Sequence, residues 1–208
     1  MQRARRVRAG TGGAGAGKPM IRLCGSTALG HLSVVSEAAQ LLNWDGKIIP
    51  SLELLGSRVC VIASLNEYEH IRRQQEGAGA AVTDPWMLQF DEGPRRRGEP
   101  ARWRPSPVQI AGVMACRRTW KAALTTASGF AAFCPRAVVL PGEEARNRRL
   151  RLEAAICGVG IVALHVKTVS VAQRPGPAIV SDANRCLAHR VLEETVYARL
   201  LTDSVSVH

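Results

Sequence analysis

The chain has 208 residues, of which 46% are hydrophobic and 4% aromatic, and it carries a formal net charge of +11. This length and apolar content fit one folded domain with a mainly aliphatic core, and they argue against global disorder. No apolar run reaches the roughly 18 residues that a membrane-spanning helix needs, so the sequence predicts no membrane partner.

The first 19 residues predict a disordered basic arm, because they are rich in Arg, Gly and Ala and contain no acid. Gly12–Lys18 satisfies the GxxxxGK part of a P-loop, but Pro19 stands where the magnesium-binding Ser or Thr should be. A flexible linker is therefore the favoured interpretation of these glycines. We expect the rest of the chain, 20–208, to form a single α/β domain that begins with a short strand at Met20–Cys24.

The next segment predicts a helix followed by a pair of strands. Apolar residues at spacings of three and four indicate a helix over His31–Asn43. Lys47–Leu55 and Arg58–Leu65 are predicted strands joined at Gly56-Ser57, and Pro50 places the first of them at a sheet edge. Asn66 is a candidate N-cap for a polar helix that ends near Gln75.

The second half predicts alternating strands and helices after a long loop or insertion at about 77–107. The predicted strands are Val108–Cys116, Arg136–Leu140, Val159–His165 and Val166–Ala172, and the predicted helices are Arg117–Ala131, Gly142–Ile156 and one from Ser181 to about Leu201. This alternation implies parallel strands, while the last two strands could form a hairpin. The expected fold class is α/β, with a central mixed sheet flanked by helices.

Six cysteines are present, and no two of them form a CxxC pair. We predict neither disulfides nor a zinc site, and no cofactor, which indicates a reducing compartment and a cytoplasmic location.

The segment 35–56 resembles a small helix-turn-helix of the excisionase type through its SEAAQLL run. A recognition helix would then fall near Lys47–Leu55, where Pro50 would break its hydrogen bonding. A DNA-binding regulator that uses residues 35–56 is therefore one alternative, and an amphipathic helix followed by an edge strand is the other.

The stretch from Val108 to His165 combines a buried strand, a basic turn, an amphipathic helix and a second strand that ends at Pro141, followed later by CGVGIVALH. It resembles the core of the PD-(D/E)XK nuclease-like superfamily, which implies a restriction-endonuclease-like fold. The other interpretation is a common strand–helix–strand unit.

Carried over from that resemblance, the family's metal-binding Asp falls on Cys60, its Glu on Ala115 and its Lys on Arg117. The chemistry needs acids to hold Mg²⁺ and a Lys to act on the attacking water. None of the three is retained, so the resemblance implies a nucleic-acid-binding scaffold without nuclease activity and without a metal site.

A basic window supports a nucleic-acid partner independently of the family, because 100–142 holds no Asp or Glu. Arg117 and Lys121 are predicted one turn apart on a polar helix face, where a phosphate would relieve their repulsion. The candidate nucleic-acid-binding residues, with DNA as the expected partner, are Arg102, Trp103, Arg104, Arg117, Arg118 and Lys121.

Two further classes of function stay open. The basic window could instead bind an acidic protein partner. An enzyme could assemble its site from the scattered residues His165, Glu37 and Asp45.

Overall fold

The computed structural model describes residues 28–80, 105–166, 168–177 and 186–205. The predicted basic arm, the strand at Met20–Cys24, most of the insertion and the Ser181 cap lie outside these residues. In the described part, no helix is long and apolar enough to cross a bilayer.

Within the described ranges, six strands form one mixed sheet in the order β1-β2-β3-β4-β5-β6. The pairs β1–β2, β2–β3 and β5–β6 are antiparallel, whereas β3–β4 and β4–β5 are parallel. The predicted mixed sheet with parallel strands in its second half is therefore confirmed. The strands are β1 Lys47–Leu54, β2 Ser57–Leu65, β3 Val108–Ala115, β4 Arg136–Pro141, β5 Gly160–Leu164 and β6 Val169–Gln173.

Helices cover both faces of the sheet. The helices are α1 Ala28–Leu42, α2 Glu67–Gln75, α3 Trp120–Ser128, α4 Gly142–Ala145, α5 Arg148–Ile156 and α6 Leu187–Val205. Residues of α1 share a buried cluster with one face of the sheet, while α3, α5 and α6 pack on the other face. Successive strand residues point to opposite faces of the sheet. Because helices cover both faces, the central strands are apolar on both sides.

The helix-turn-helix alternative is wrong in structure. Lys47–Leu54 is a strand, not a recognition helix, and among the described residues it lies at the sheet edge and pairs with β2 alone. The ladder is irregular between Ile49 and Leu52, around Pro50, as expected for a residue without a backbone N–H. The chain turns into β2 at Leu55-Gly56, where both residues have positive φ, of 50° and 67°.

Two predicted helices differ from the observed ones. The helix predicted from Arg117 begins at Trp120, because Thr119 is extended and caps it by accepting from the Ala122 N–H. The helix predicted over Gly142–Ile156 is divided into α4 and α5, since Asn147 caps a new helix through the N–H groups of Arg149 and Leu150. In contrast, the predicted Asn66 cap of α2 is confirmed.

Candidate nucleic-acid interface

The parallel strands β3, β4 and β5 all end at one edge of the sheet, which we call the carboxyl edge. In open α/β sheets this is where ligands commonly bind, because the connecting loops are free to carry functional groups. Arg117 and Arg118 follow β3, Glu143 and Glu144 follow β4, and His165 follows β5. Two adjacent arginines therefore lie in the connection that follows β3.

Arg117 lies in the loop between β3 and α3 and is half-buried. Its Nε donates to Thr126 Oγ1 of α3 at 3.2 Å, which holds the guanidinium against the side of the helix. Arg117 and Lys121 are thus not neighbours on one helical face, contrary to the sequence prediction. The observed role of Arg117 includes anchoring the loop to α3.

Arg118 and Lys121 are both exposed and flank the first turn of α3. The Lys121 ammonium lies 5.7 Å from the centroid of the Trp120 ring, within the range of a cation–π contact. Trp120 itself is half-buried, so the contact joins the cation to a ring that packs on the body. Arg118 and Lys121 are therefore two solvent-exposed cations beside the half-buried Trp120.

The start of α3 adds a third source of positive potential. Its first turn contains no acid, and the free N–H groups of a helix N-terminus carry about half a positive charge. Backbone amides at such an end commonly bind phosphate.

Arg58 is a further exposed cation at this edge, on the α1 face of the sheet rather than the α3 face, and sequence reasoning did not include it. It is exposed at the start of β2, two residues before Cys60, which pairs with Met114 of β3. Since β2 is antiparallel to β3, Arg58 lies at the level of the loop that holds Arg117. The two strands predicted on either side of Gly56-Ser57 could have indicated that Arg58 lies beside this turn. We call Arg58, Arg117, Arg118 and Lys121 the basic edge.

Acidic residues limit the basic edge on both sides. Glu53 lies opposite Arg58 in the β1–β2 ladder, and Glu143 and Glu144 occupy the first turn of α4. Arg102, Trp103 and Arg104 lie outside the described residues.

The three positions that the family resemblance assigns to metal chemistry do not converge. Cys60 pairs with Met114, and its side chain belongs to the cluster on the α1 face. Ala115 points into the opposite cluster, beneath α3 and α5. Burial raises the pKa of the Cys60 thiol to about 12, with a smaller contribution from Cys116.

These groups do not fit a magnesium site. Mg²⁺ requires oxygen ligands, and the three positions offer a buried thiol, a methyl group and a guanidinium. Within the described ranges, no group of three or more His, Cys, Asp and Glu side chains is placed to hold a metal ion.

The scattered enzyme residues are brought together only in part. His165 Nε2 lies 3.1 Å from Ser170 Oγ, and Glu37 Oε1 accepts from the Val169 N–H at 3.2 Å. Both residues thus contact the β5–β6 hairpin. Asp45 makes no hydrogen bond to either of them in the described part of the chain.

No protein-family model, curated protein or solved structure matches this chain.

Proposed function

We propose that this protein binds nucleic acid, DNA in particular, through the basic edge and does so without nuclease activity. The observation that carries the proposal is the exposure of Arg118 and Lys121 on either side of the N-terminus of α3. Phosphate contacts supply most of the affinity in non-specific nucleic-acid binding, and cations on a rigid element supply such contacts without a large ordering cost.

The order of elements gives additional support to a nuclease-like scaffold. The hairpin β1–β2 precedes the unit β3–α3–β4, in which the two strands are parallel neighbours. The order strand, helix, strand is the pattern on which the family resemblance rests, although Cys60 and Ala115 point to opposite faces of the sheet. The absence of carboxylates at Cys60 and Ala115 supports binding rather than metal-dependent cleavage.

Affinity for a DNA duplex of about 20 base pairs at low salt tests the proposed interface. We expect the double variant Arg118→Ala with Lys121→Ala to bind at least about tenfold more weakly, since hydrogen bonds to charged groups contribute about 1.5–3 kcal/mol. The matched control is Arg174→Ala with Arg199→Ala, which removes two exposed cations away from the basic edge. Equal affinity of the double variant and the control would overturn the proposal.

An acidic polypeptide distinguishes nucleic acid from an acidic protein partner. Polyglutamate and the duplex should be compared as ligands under the same buffer conditions. Tight binding of polyglutamate, with no binding of duplex DNA or of RNA, would replace the proposal by the protein-partner alternative.

Cleavage is tested separately with supercoiled plasmid and Mg²⁺. We expect the plasmid to stay intact. Cleavage that co-purifies with the wild-type chain and is lost in Arg117→Ala would contradict the claim of inactivity.

A further inference from the structure

Cys186 and His189 form a close pair at the start of α6, far from the basic edge. Cys186 Sγ lies 3.2 Å from His189 Nδ1, and the thiol is exposed. His189 also contacts Ala132, in the connection from α3 to β4, which lies at the sheet edge opposite the carboxyl edge. The CxxH spacing was visible in the sequence, and sequence reasoning missed it.

The environment of the imidazole determines which nitrogen carries its proton. His189 Nε2 is 2.9 Å from the Ala132 carbonyl oxygen, which can only accept. Nε2 is therefore the donor, and Nδ1 presents its lone pair to Cys186, whose backbone N–H also donates to it at 3.2 Å. In this tautomer Nδ1 can take the thiol proton when its hydrogen bond from the Cys186 N–H breaks, because the nitrogen has a single lone pair.

The ring is held firmly in that orientation. Its side chain is 7% exposed, and it packs on Phe133 with ring centroids 4.8 Å apart. Cys186 is fixed as well, because its carbonyl accepts from the N–H groups of His189 and Arg190 in the first turn of α6. A negative charge on this sulfur would lie at the positive end of a 19-residue helix.

The other described cysteines are less exposed to solvent than Cys186. Burial raises the pKa of both Cys60 and Cys134 to about 12, so they stay as thiols. Cys116 and Cys157 are half-buried. Cys186 alone among the described cysteines is an exposed residue with an imidazole nitrogen in contact with its sulfur.

His189 also lines a cavity of about 690 Å³, together with Phe133, Asn66, Ser106 and Glu193. Of the pair, the cavity borders His189 and not Cys186, so it adjoins the imidazole side. Its lining includes hydroxyl, amide and carboxylate groups, which suits a polar molecule.

We infer that Cys186 is a nucleophilic thiol that exchanges with small disulfides, with His189 as its base. Nδ1 takes the proton from Sγ, and the thiolate attacks one sulfur of the disulfide. The Sγ–S bond forms as the S–S bond of the reagent breaks. The displaced sulfur leaves as a thiolate and receives the proton from His189. Cys186 is thereby oxidised to a mixed disulfide, and the displaced sulfur is reduced to a thiol.

The experiment uses the full chain and 5,5′-dithiobis(2-nitrobenzoic acid), whose reaction releases a coloured thiolate. Adducts are assigned by peptide mass mapping, and rate constants are measured for each cysteine. We expect Cys186 to react first and the fast phase to disappear in Cys186→Ser. The control Cys157→Ser should retain it.

His189→Gln tests the role of the base. An ordinary thiol is only a few per cent thiolate at about pH 7, so losing the base should lower the rate several-fold at that pH. Because His189 is buried, the wild-type chain provides a second test that needs no variant. Cys186 should react faster in the folded chain than in the same chain unfolded in guanidinium. A folded rate equal to or below the unfolded rate would overturn the inference.

Discussion

Arg73 of α2 and Glu194 of α6 form a two-bond ion pair, with nitrogen–oxygen distances of 2.8 and 2.9 Å. Their side chains are 7% and 0% exposed, so the pair is buried. Arg190 also contacts Glu194, at 2.9 Å, and Glu69 contacts Arg73 at the same distance. The network joins two helices that are distant in sequence.

Replacing Glu194 by Ala should lower the free energy of unfolding by about 3–5 kcal/mol, because two guanidinium groups then stay buried without this carboxylate. Denaturant unfolding measures the change. The control is Arg199→Ala, whose ion pair with Asp203 is 46% and 44% exposed. Such surface pairs contribute about 0–1 kcal/mol, so equal losses for both variants would contradict a buried network.

The lowered pKa of Glu69 predicts that the fold loses stability in acid. Hydrogen bonds from Arg72 and then Arg73 lower its pKa to about 2, although burial acts in the opposite direction. A carboxyl group whose folded pKa is depressed stabilises the protein above its unfolded pKa, about 4.3, and this contribution is lost as the pH falls toward 2. We expect the free energy of unfolding to decrease over that range, and to decrease less in Glu69→Gln. Parallel pH profiles for the two proteins would exclude Glu69 as the cause.

The β1–β2 turn contains a correctable strain. Leu55 has a φ of 50°, and its side chain is 52% exposed, so it gains little burial for a left-handed backbone. Such a conformation costs an ordinary residue about 1–2 kcal/mol, and Asn-Gly is the preferred sequence for this type of two-residue turn. Leu55→Asn should therefore raise the free energy of unfolding by about 0.5–1 kcal/mol, whereas Leu55→Val should lower it. An increase for both would show that loss of the exposed leucine, not the turn, is responsible.

Gly112 allows Trp44 to pack directly on β3. A Cβ at Gly112 would lie 2.6 Å from the Trp44 ring, which is buried in the α1-side cluster. Gly112→Ala should cost about 1–3 kcal/mol, as overpacking does in other cores. Gly129→Ala is the control, because its nearest atom is 3.4 Å away and its φ is −59°. Thermal unfolding of both variants gives the comparison, and equal midpoints would contradict the tight contact.

Local patterns predicted most of the sheet because the relevant signals are short-range. Gly56 and Pro50 marked the turn and the edge, and the apolar runs of β3, β4 and β5 marked the parallel strands. The start of α3 was misplaced because Arg117 and Arg118 are good helix formers, while Thr119 provides the cap that sets the boundary.

The long-range features could not be predicted in the same way. Both faces of β2 and β3 are apolar, so alternation does not show that Cys60 and Ala115 point in opposite directions. The pairing of Arg73 with Glu194 depends on how α2 and α6 meet, which no local pattern specifies. Arg118 and Lys121 are exposed and Arg117 is partly engaged with Thr126, while their contact with nucleic acid stays a prediction.

The salt dependence of DNA affinity tests the central claim most directly. Each phosphate contact contributes about 0.9 to the slope of log K against log salt concentration for duplex DNA. We predict that Arg118→Ala with Lys121→Ala makes the slope shallower by about 1.8, while Arg174→Ala with Arg199→Ala leaves it unchanged. Identical slopes and affinities for the wild-type chain and the Arg118, Lys121 variant would contradict a nucleic-acid interface at the basic edge.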